Sequence, residues 1–284
     1  MNKRKFTFVG GDLRLGAAHS YLKALGYVSD TFLSEKAESV DQKDKCVVFP
    51  LSDVYILPLP ITSDKVSINA PLSDLSLSFK DFFSMLPEKA IVFGGMIPDE
   101  IKELAKEYSV TMFDYYSSEE LQIKNSVPTA EGAIEIALRE MPVTLYKTKS
   151  LIIGSGRIAK ATAPLLAAFK SYVTIASRNP DSLLWNEIFG FNTINTAHIS
   201  ESLKDYDLII NTAPKKILTE NLLTLIKKDC LIIDLASRPG GVDMEAASHL
   251  GLKVIWALGL PGKCAPVSSG QIIGSTVLNM LNTL

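Results

Sequence analysis

Short β-branched and aliphatic runs alternate along the chain with stretches whose apolar residues recur every three or four positions. That alternation predicts a parallel sheet with covering helices. In the first half the runs are KFTFVG, DVYILPL, AIVFGG and VTMFD. After the first, Leu15, Ala18, Leu22 and Leu25 follow helical spacing, and Gly26 is placed to end that helix. IPDEIKELAKEYS opens with a proline and two acids, which suit the positive end of a helix. Residues 62–80, rich in Ser, Asp and Asn, predict an irregular excursion. A helix beginning near Pro128 and running through TAEGAIEIALREM connects the halves. SLIIGSG, YVTIAS, DLIINTA, CLIIDLA and KVIWAL then predict the strands of the second half, and the amphipathic SSGQIIGSTVLNMLNTL closes the chain. No repeat of 20–50 residues is present. The expected architecture is α/β, with two doubly wound domains, 1–124 and 125–284, and a cleft between them. The second would include the connecting helix near 128–140 and a C-terminal helix near 268–282. Ligands are expected at the C-terminal ends of the strands.

Composition narrows the class. With 284 residues, 47% of them hydrophobic and 21% charged, the chain has ordinary globular composition. A net charge of −2 and no long basic run leave out the electrostatic footprint of nucleic-acid binding. The basic opening MNKRK is followed directly by FTFVGG, and no run reaches the roughly 18 apolar residues of a membrane span. A cytoplasmic protein is expected. Cys46, Cys230 and Cys264 are widely spaced with no CxxC, so neither a disulfide framework nor a metal site is expected. His19, His198 and His249 fall in no motif.

The sharpest chemical signal is Gly154-Ser155-Gly156-Arg157-Ile158-Ala159, a GxGxxA set between the apolar run LII and a helical stretch. Gly154 permits a tight turn, Gly156 lets the backbone approach a pyrophosphate, and Ala159 lets the helix pack on the strand. The helix start would supply N–H groups and partial positive charge. The next strand ends in Ser177-Arg178-Asn179, where an NAD-preferring site has an acid for the ribose 2′-OH; the first acid is Asp181. A guanidinium and a hydroxyl suit a 2′-phosphate, so NADP is the expected cofactor, with NAD the alternative. Asn211-Thr212-Ala213-Pro214 and Asp234-Leu235-Ala236-Ser237-Arg238, at the ends of two later strands, are expected to line it, the second nearer the nicotinamide. Asp243 is expected to cap a helix.

Four segments carry a resemblance. NSVPTAEGAIEIA, DLASRPGGVD and ALGLPGKCAP, with the opening GGD-x-R, closely resemble the family of dipicolinate synthase A subunits from spore-forming bacteria, over essentially the whole chain. The resemblance implies a flavodoxin-like N-terminal substrate domain and an NAD(P)-binding Rossmann domain, arranged as in 2-hydroxyacid dehydrogenases. It implies conversion of 4-hydroxy-tetrahydrodipicolinate to dipicolinate, with the flavoprotein-like B subunit of dipicolinate synthase as partner. It also implies a place in the mother-cell cytoplasm during sporulation. A homo-oligomer is expected, although Ile272, Ile273, Val277 and Leu278 serve a core or an interface equally well.

Such a reaction must hold a dicarboxylate against a nicotinamide. Arg14 and Arg238 are the candidate clamps, because Arg pairs bidentately with carboxylates; domain closure would bring them together. Ser126 or Thr129 is expected to cap the connecting helix, whose exposed N–H groups would welcome a carboxylate. Glu131 is a candidate base, and Lys263 is placed to polarise a substrate group. Two other readings stay open: a dehydrogenase or reductase of another small acid, and a non-catalytic cofactor-binding protein regulating a flavoprotein.

Overall fold

The structure, a computed structural model, describes residues 4–284; the first three residues of the MNKRK opening lie outside it. The chain divides into two compact units, one running up to Asn125 and including Ala265–Leu284, the other Ser126–Cys264.

The first unit carries strands β1 (Lys5–Val9), β2 (Val28–Phe32), β3 (Lys45–Cys46), β4 (Val54–Ile56), β5 (Ile91–Gly94) and β6 (Thr111–Asp114). They form one sheet, all parallel, in the order β3-β2-β1-β4-β5-β6. The edge strand β3 has only two residues; without it the order is that of a flavodoxin-like sheet. Helices α1 (Leu13–Ala24), α2 (Phe79–Met85) and α3 (Asp99–Glu107) join the strands. Side chains alternate between the sheet's two faces, as the pleat requires. Phe6, Phe8, Val54, Ile56 and Phe93 build one core, while Val9, Tyr55, Leu57 and Val92 meet Phe79 and Phe82 of α2 in another. Neither β2 nor β3 follows from the apolar pattern, because VSDTF mixes Ser and Asp into its run. His19 is packed in α1, where its Nε2 donates to the Ser29 carbonyl at 3.1 Å and burial lowers its pKa.

Helix α4 (Glu119–Glu140) begins well before the expected start and holds Pro128 in its interior. Ser126 and Thr129 are therefore mid-helix and buried, which overturns their expected capping role: helix caps lie outside the helix. The acids of the true first turn are Glu119 and Glu120.

The second unit repeats the architecture with β7 (Lys149–Ile153), β8 (Tyr172–Ser177), β9 (Asn192–Asn195), β10 (Leu208–Asn211), β11 (Leu231–Asp234) and β12 (Lys253–Trp256). Its parallel sheet runs β12-β11-β10-β7-β8-β9, so the order reverses between β7 and β10. Helices α5 (Arg157–Ala168), α6 (Pro180–Ile188), α7 (Glu220–Leu223), α8 (Met244–His249) and α9 (Leu260–Cys264) complete it. Asp243 caps α8 as expected, accepting from Ala246 N at 3.2 Å. Cys230 is buried, and desolvation pushes its thiol up to about 12.

The last helix, α10 (Pro266–Leu281), corrects the expected domain boundary, because it packs with the first unit rather than the second. Ile273, Val277 and Leu281 join Phe6, Phe8, Leu15, Ala18 and Leu22 in one core, with Ile272 and Leu278 partly buried against it. Small residues permit the approach. A Cβ on Gly270 would lie 2.3 Å from the Arg14 carbonyl oxygen and 2.8 Å from Ala18 N, both backbone atoms of α1. Gly270→Ala is accordingly expected to cost about 1–3 kcal/mol, the usual penalty for overpacking, read as an earlier urea midpoint. Ser268→Ala, at an exposed position of the same helix, should stay within about 0.5 kcal/mol of the parent protein. Equal midpoints for the two variants would contradict this packing.

Candidate functional site

The loop between β7 and α5 is shaped by its two glycines in different ways. Gly154 adopts φ +108°, and a Cβ there would fall 2.3 Å from Thr212 Oγ1. Thr212 cannot retreat, since its N and Oγ1 both donate to the Ile153 carbonyl, at 2.8 and 2.9 Å. Gly156 is the N-cap of α5 with φ −80°, and a Cβ there would meet no protein atom within 4 Å. Protein packing therefore demands glycine at 154 but not at 156. Open space over Gly156 is what close approach of a pyrophosphate requires. The start of α5 has no side-chain cap and no acid, and Arg157 and Lys160 occupy its first turn. Ala159 is buried against the sheet, as its small size predicted, and Ile158 is half-buried beside it.

The end of β8 is tied to this loop. Ser155 and Ser177 hydroxyls lie 2.9 Å apart, and Asn179 N donates to Ser177 Oγ at 3.2 Å. Asn179 Oδ1 accepts from Ser182 N, capping α6 ahead of Pro180. Arg178 is exposed, with no ion pair among the described residues.

Two further loops leave the same end of the sheet. Thr212 and Ala213 are half-buried after β10, and Pro214 is exposed. After β11, Leu235 packs into the core and Ala236 is buried, so of these two residues only the backbone is left to line a cofactor. The pleat explains it: Leu235 continues the inward-facing positions of an aliphatic strand. Ser237, Arg238 and Pro239 are the exposed side chains of that loop. Beneath both loops lie Asn211 and Asp234, whose side chains are bonded at 2.7 Å. The sequence places both residues in loops expected to line the cofactor, but no expectation pairs them with each other. The available signal was a polar residue ending each of two otherwise aliphatic strands, LIIN and LIID.

The structure thus brings together Gly154 to Ile158, Ser177 to Asn179, Thr212 to Pro214, and Ser237 with Arg238 at one end of one sheet. Other candidates lie elsewhere. Lys263, on α9, lines a groove of about 620 Å³ with Glu131, Glu135, Arg139 and Trp256; that lining shares no residue with the loops above. Arg14 belongs to the first unit, where its Nε donates to Asp12 Oδ1 at 3.0 Å and its Nη2 donates to Asp12 Oδ2 at 2.8 Å and to the Leu59 carbonyl. These bonds give Arg14 a structural task. Among the described residues no group of three or more His, Cys, Asp or Glu side chains is arranged for a metal ion, and no helix is long and apolar enough to cross a membrane.

Comparison with known proteins agrees with this division. Residues 5–116 match the family model of the N-terminal domain of the dipicolinate synthase A subunit. Residues 122–249 match that of the D-isomer specific 2-hydroxyacid dehydrogenase NAD binding domain. The dipicolinate synthase A subunit of Bacillus subtilis (strain 168) is 28% identical over 287 residues, covering 98% of this chain and 95% of that protein. A crystal structure of the dipicolinate synthase A subunit from Bacillus halodurans superposes with a TM-score of 0.89 at 25% identity, covering 98% of this chain and 97% of that one. The crystal structure of the same subunit from Bacillus subtilis gives 0.88 at 27% identity, covering 100% and 97%. Over its whole length the chain is similar to dipicolinate synthase A subunits, and with an N-terminal domain of that type joined to an NAD-binding dehydrogenase domain it is an NAD(P)-dependent oxidoreductase.

Proposed function

We propose that this protein forms dipicolinate from 4-hydroxy-tetrahydrodipicolinate, as the A subunit of a sporulation enzyme, and that NADP is its oxidant. Water leaves the ring, and a hydride and a proton then leave to complete the aromatic pyridine. The nicotinamide, when bound, supplies the hydride acceptor. The observation that carries the reading is the uncapped, acid-free start of α5 behind Gly156, at the switch point of the second sheet. There the chain's N–H groups, Arg157 and Ser155 would hold the pyrophosphate.

NADP is favoured over NAD because Arg178 stands exposed after β8 and the first acid, Asp181, is taken up in the first turn of α6. Arg238 is the candidate for a substrate carboxylate, since it is exposed on the loop expected nearest the nicotinamide. The flavoprotein-like B subunit remains the proposed partner, and the mother-cell cytoplasm the proposed setting. Arg14, with its guanidinium engaged by Asp12 and Leu59, is not favoured as a second clamp.

Product formation is followed by dipicolinate absorbance, with substrate generated in situ by the upstream synthase. Wild-type protein is expected to make dipicolinate with NADP. Arg178→Ala should raise KM for NADP by about 10- to 100-fold, the worth of a charge-assisted hydrogen bond, and change KM for NAD little. No product with either cofactor, with or without the proposed partner, would contradict the proposal and favour a regulatory cofactor-binding role.

Gly156→Ala separates a ligand-driven glycine from a structural one. The thermal midpoint should stay within the shift of about 0.5 kcal/mol typical of benign surface changes, while NADP affinity falls by tenfold or more. Unchanged affinity would remove Gly156 from the site. Gly154→Ala is expected to lower the midpoint itself, because its Cβ meets Thr212 in a left-handed turn.

A further inference from the structure

The dinucleotide reading leaves two buried polar side chains without a task, Asn211 and Asp234. They end the neighbouring strands β10 and β11 and are register partners, at 0% and 1% exposure. A buried carboxylate is stable only when its oxygens are satisfied. Asp234 Oδ1 accepts from Asn211 Nδ2 at 2.7 Å and from Ala236 N at 3.0 Å, and Oδ2 accepts from Gly241 N at 2.8 Å. Asn211 Nδ2 also donates to the Ala213 carbonyl at 3.1 Å, and its Oδ1 accepts from Ala213 N at 3.3 Å. One side-chain pair therefore holds the backbone of two separate loops.

The surroundings leave that pair no slack. A Cβ on Gly241 would fall 2.0 Å from Asn211 Nδ2, and one on Gly240 would fall 3.0 Å from Asp234 Oδ2. From the next strand, Trp256 Nε1 donates to the Ala236 carbonyl at 2.9 Å. Three donors converge on the carboxylate. Asparagine at 234 could not replace it, because either amide orientation would turn an NH2 group against a donor. Aspartate at 211 would set one carboxylate against another. The pair has a direction, amide on β10 and carboxylate on β11.

Resting on the dinucleotide reading above, we propose that Asn211 and Asp234 are positioning residues that join loops 212–214 and 235–241 into one rigid piece. Thr212 to Pro214 and Ser237 with Arg238 then meet cofactor and substrate in a fixed mutual arrangement. Neither buried side chain touches the ligands; both act through the loops they hold.

Two readouts test this in the intact chain: amide hydrogen exchange without cofactor, and the NADP dissociation constant. Asp234→Asn and Asn211→Asp should each speed exchange in both 212–218 and 235–243, while 157–168 keeps its wild-type rate. Each should weaken NADP binding on the order of tenfold, as expected when a hydrogen bond to a buried charge is lost.

If Asp234→Asn does not fold, Asn211→Ser, which leaves the carboxylate its two backbone partners, carries the same two readouts. Faster exchange in only one loop would overturn the proposal. So would unchanged NADP affinity with both loops loosened. Because exchange is read without cofactor, a wild-type protein that bound no dinucleotide would defeat the functional reading and leave the loop coupling measurable on its own.

Discussion

The second unit is organised around one close approach, Gly154 against Thr212. The two residues follow strands β7 and β10, neighbours at the point where the strand order reverses. The Ile153 carbonyl binds Thr212 twice, which leaves no room for a side chain on Gly154 and turns the chain directly into α5. From that turn the rest of the site follows. The first N–H groups of α5 emerge past an open Gly156, the Ser155 hydroxyl reaches Ser177 at the end of β8, and Asn211 carries the framework on to Asp234 and β11.

The first unit has a comparable strand, glycine turn and helix, with different electrostatics. Gly10 and Gly11 have φ +68° and +84°, and side chains on them would strike the Asn69 carbonyl and Leu15. Here, however, the helix has its own anion. Asp12 caps α1 by accepting from Arg14 N and is paired with the Arg14 side chain. A filled cap satisfies N–H groups that an uncapped helix leaves for a ligand. The same local topology therefore carries its own anion in one unit and an uncapped helix start in the other. The difference lies in a single acidic side chain at the turn.

Much of this was readable from the residues because it is local. Strand–turn–helix at Gly154, the cap at Asp243 and the aliphatic strands of both sheets depend on neighbours in sequence. What escaped was non-local. The small-residue face of α10 fits a helix on either unit, and only contact with Ala17 and Ala18 on α1 assigns it to the first. Pro128 suggested a helix start, yet the surrounding tertiary packing carries α4 through it. Leu235 was expected to line a cofactor because it lies at the end of the run CLIIDLA, although its side chain belongs to the core. The Asn211–Asp234 pair spans 23 positions, a separation at which no periodicity shows a partner.

The most direct test of the central claim is the stoichiometry of the wild-type reaction, with dipicolinate and NADPH measured together as substrate is supplied. Equal amounts of the two are expected, rising in step and only when this chain is present. Dipicolinate formed without matching NADPH would contradict that claim, because the oxidation would then not pass through the site built on Gly154, Gly156 and Arg178.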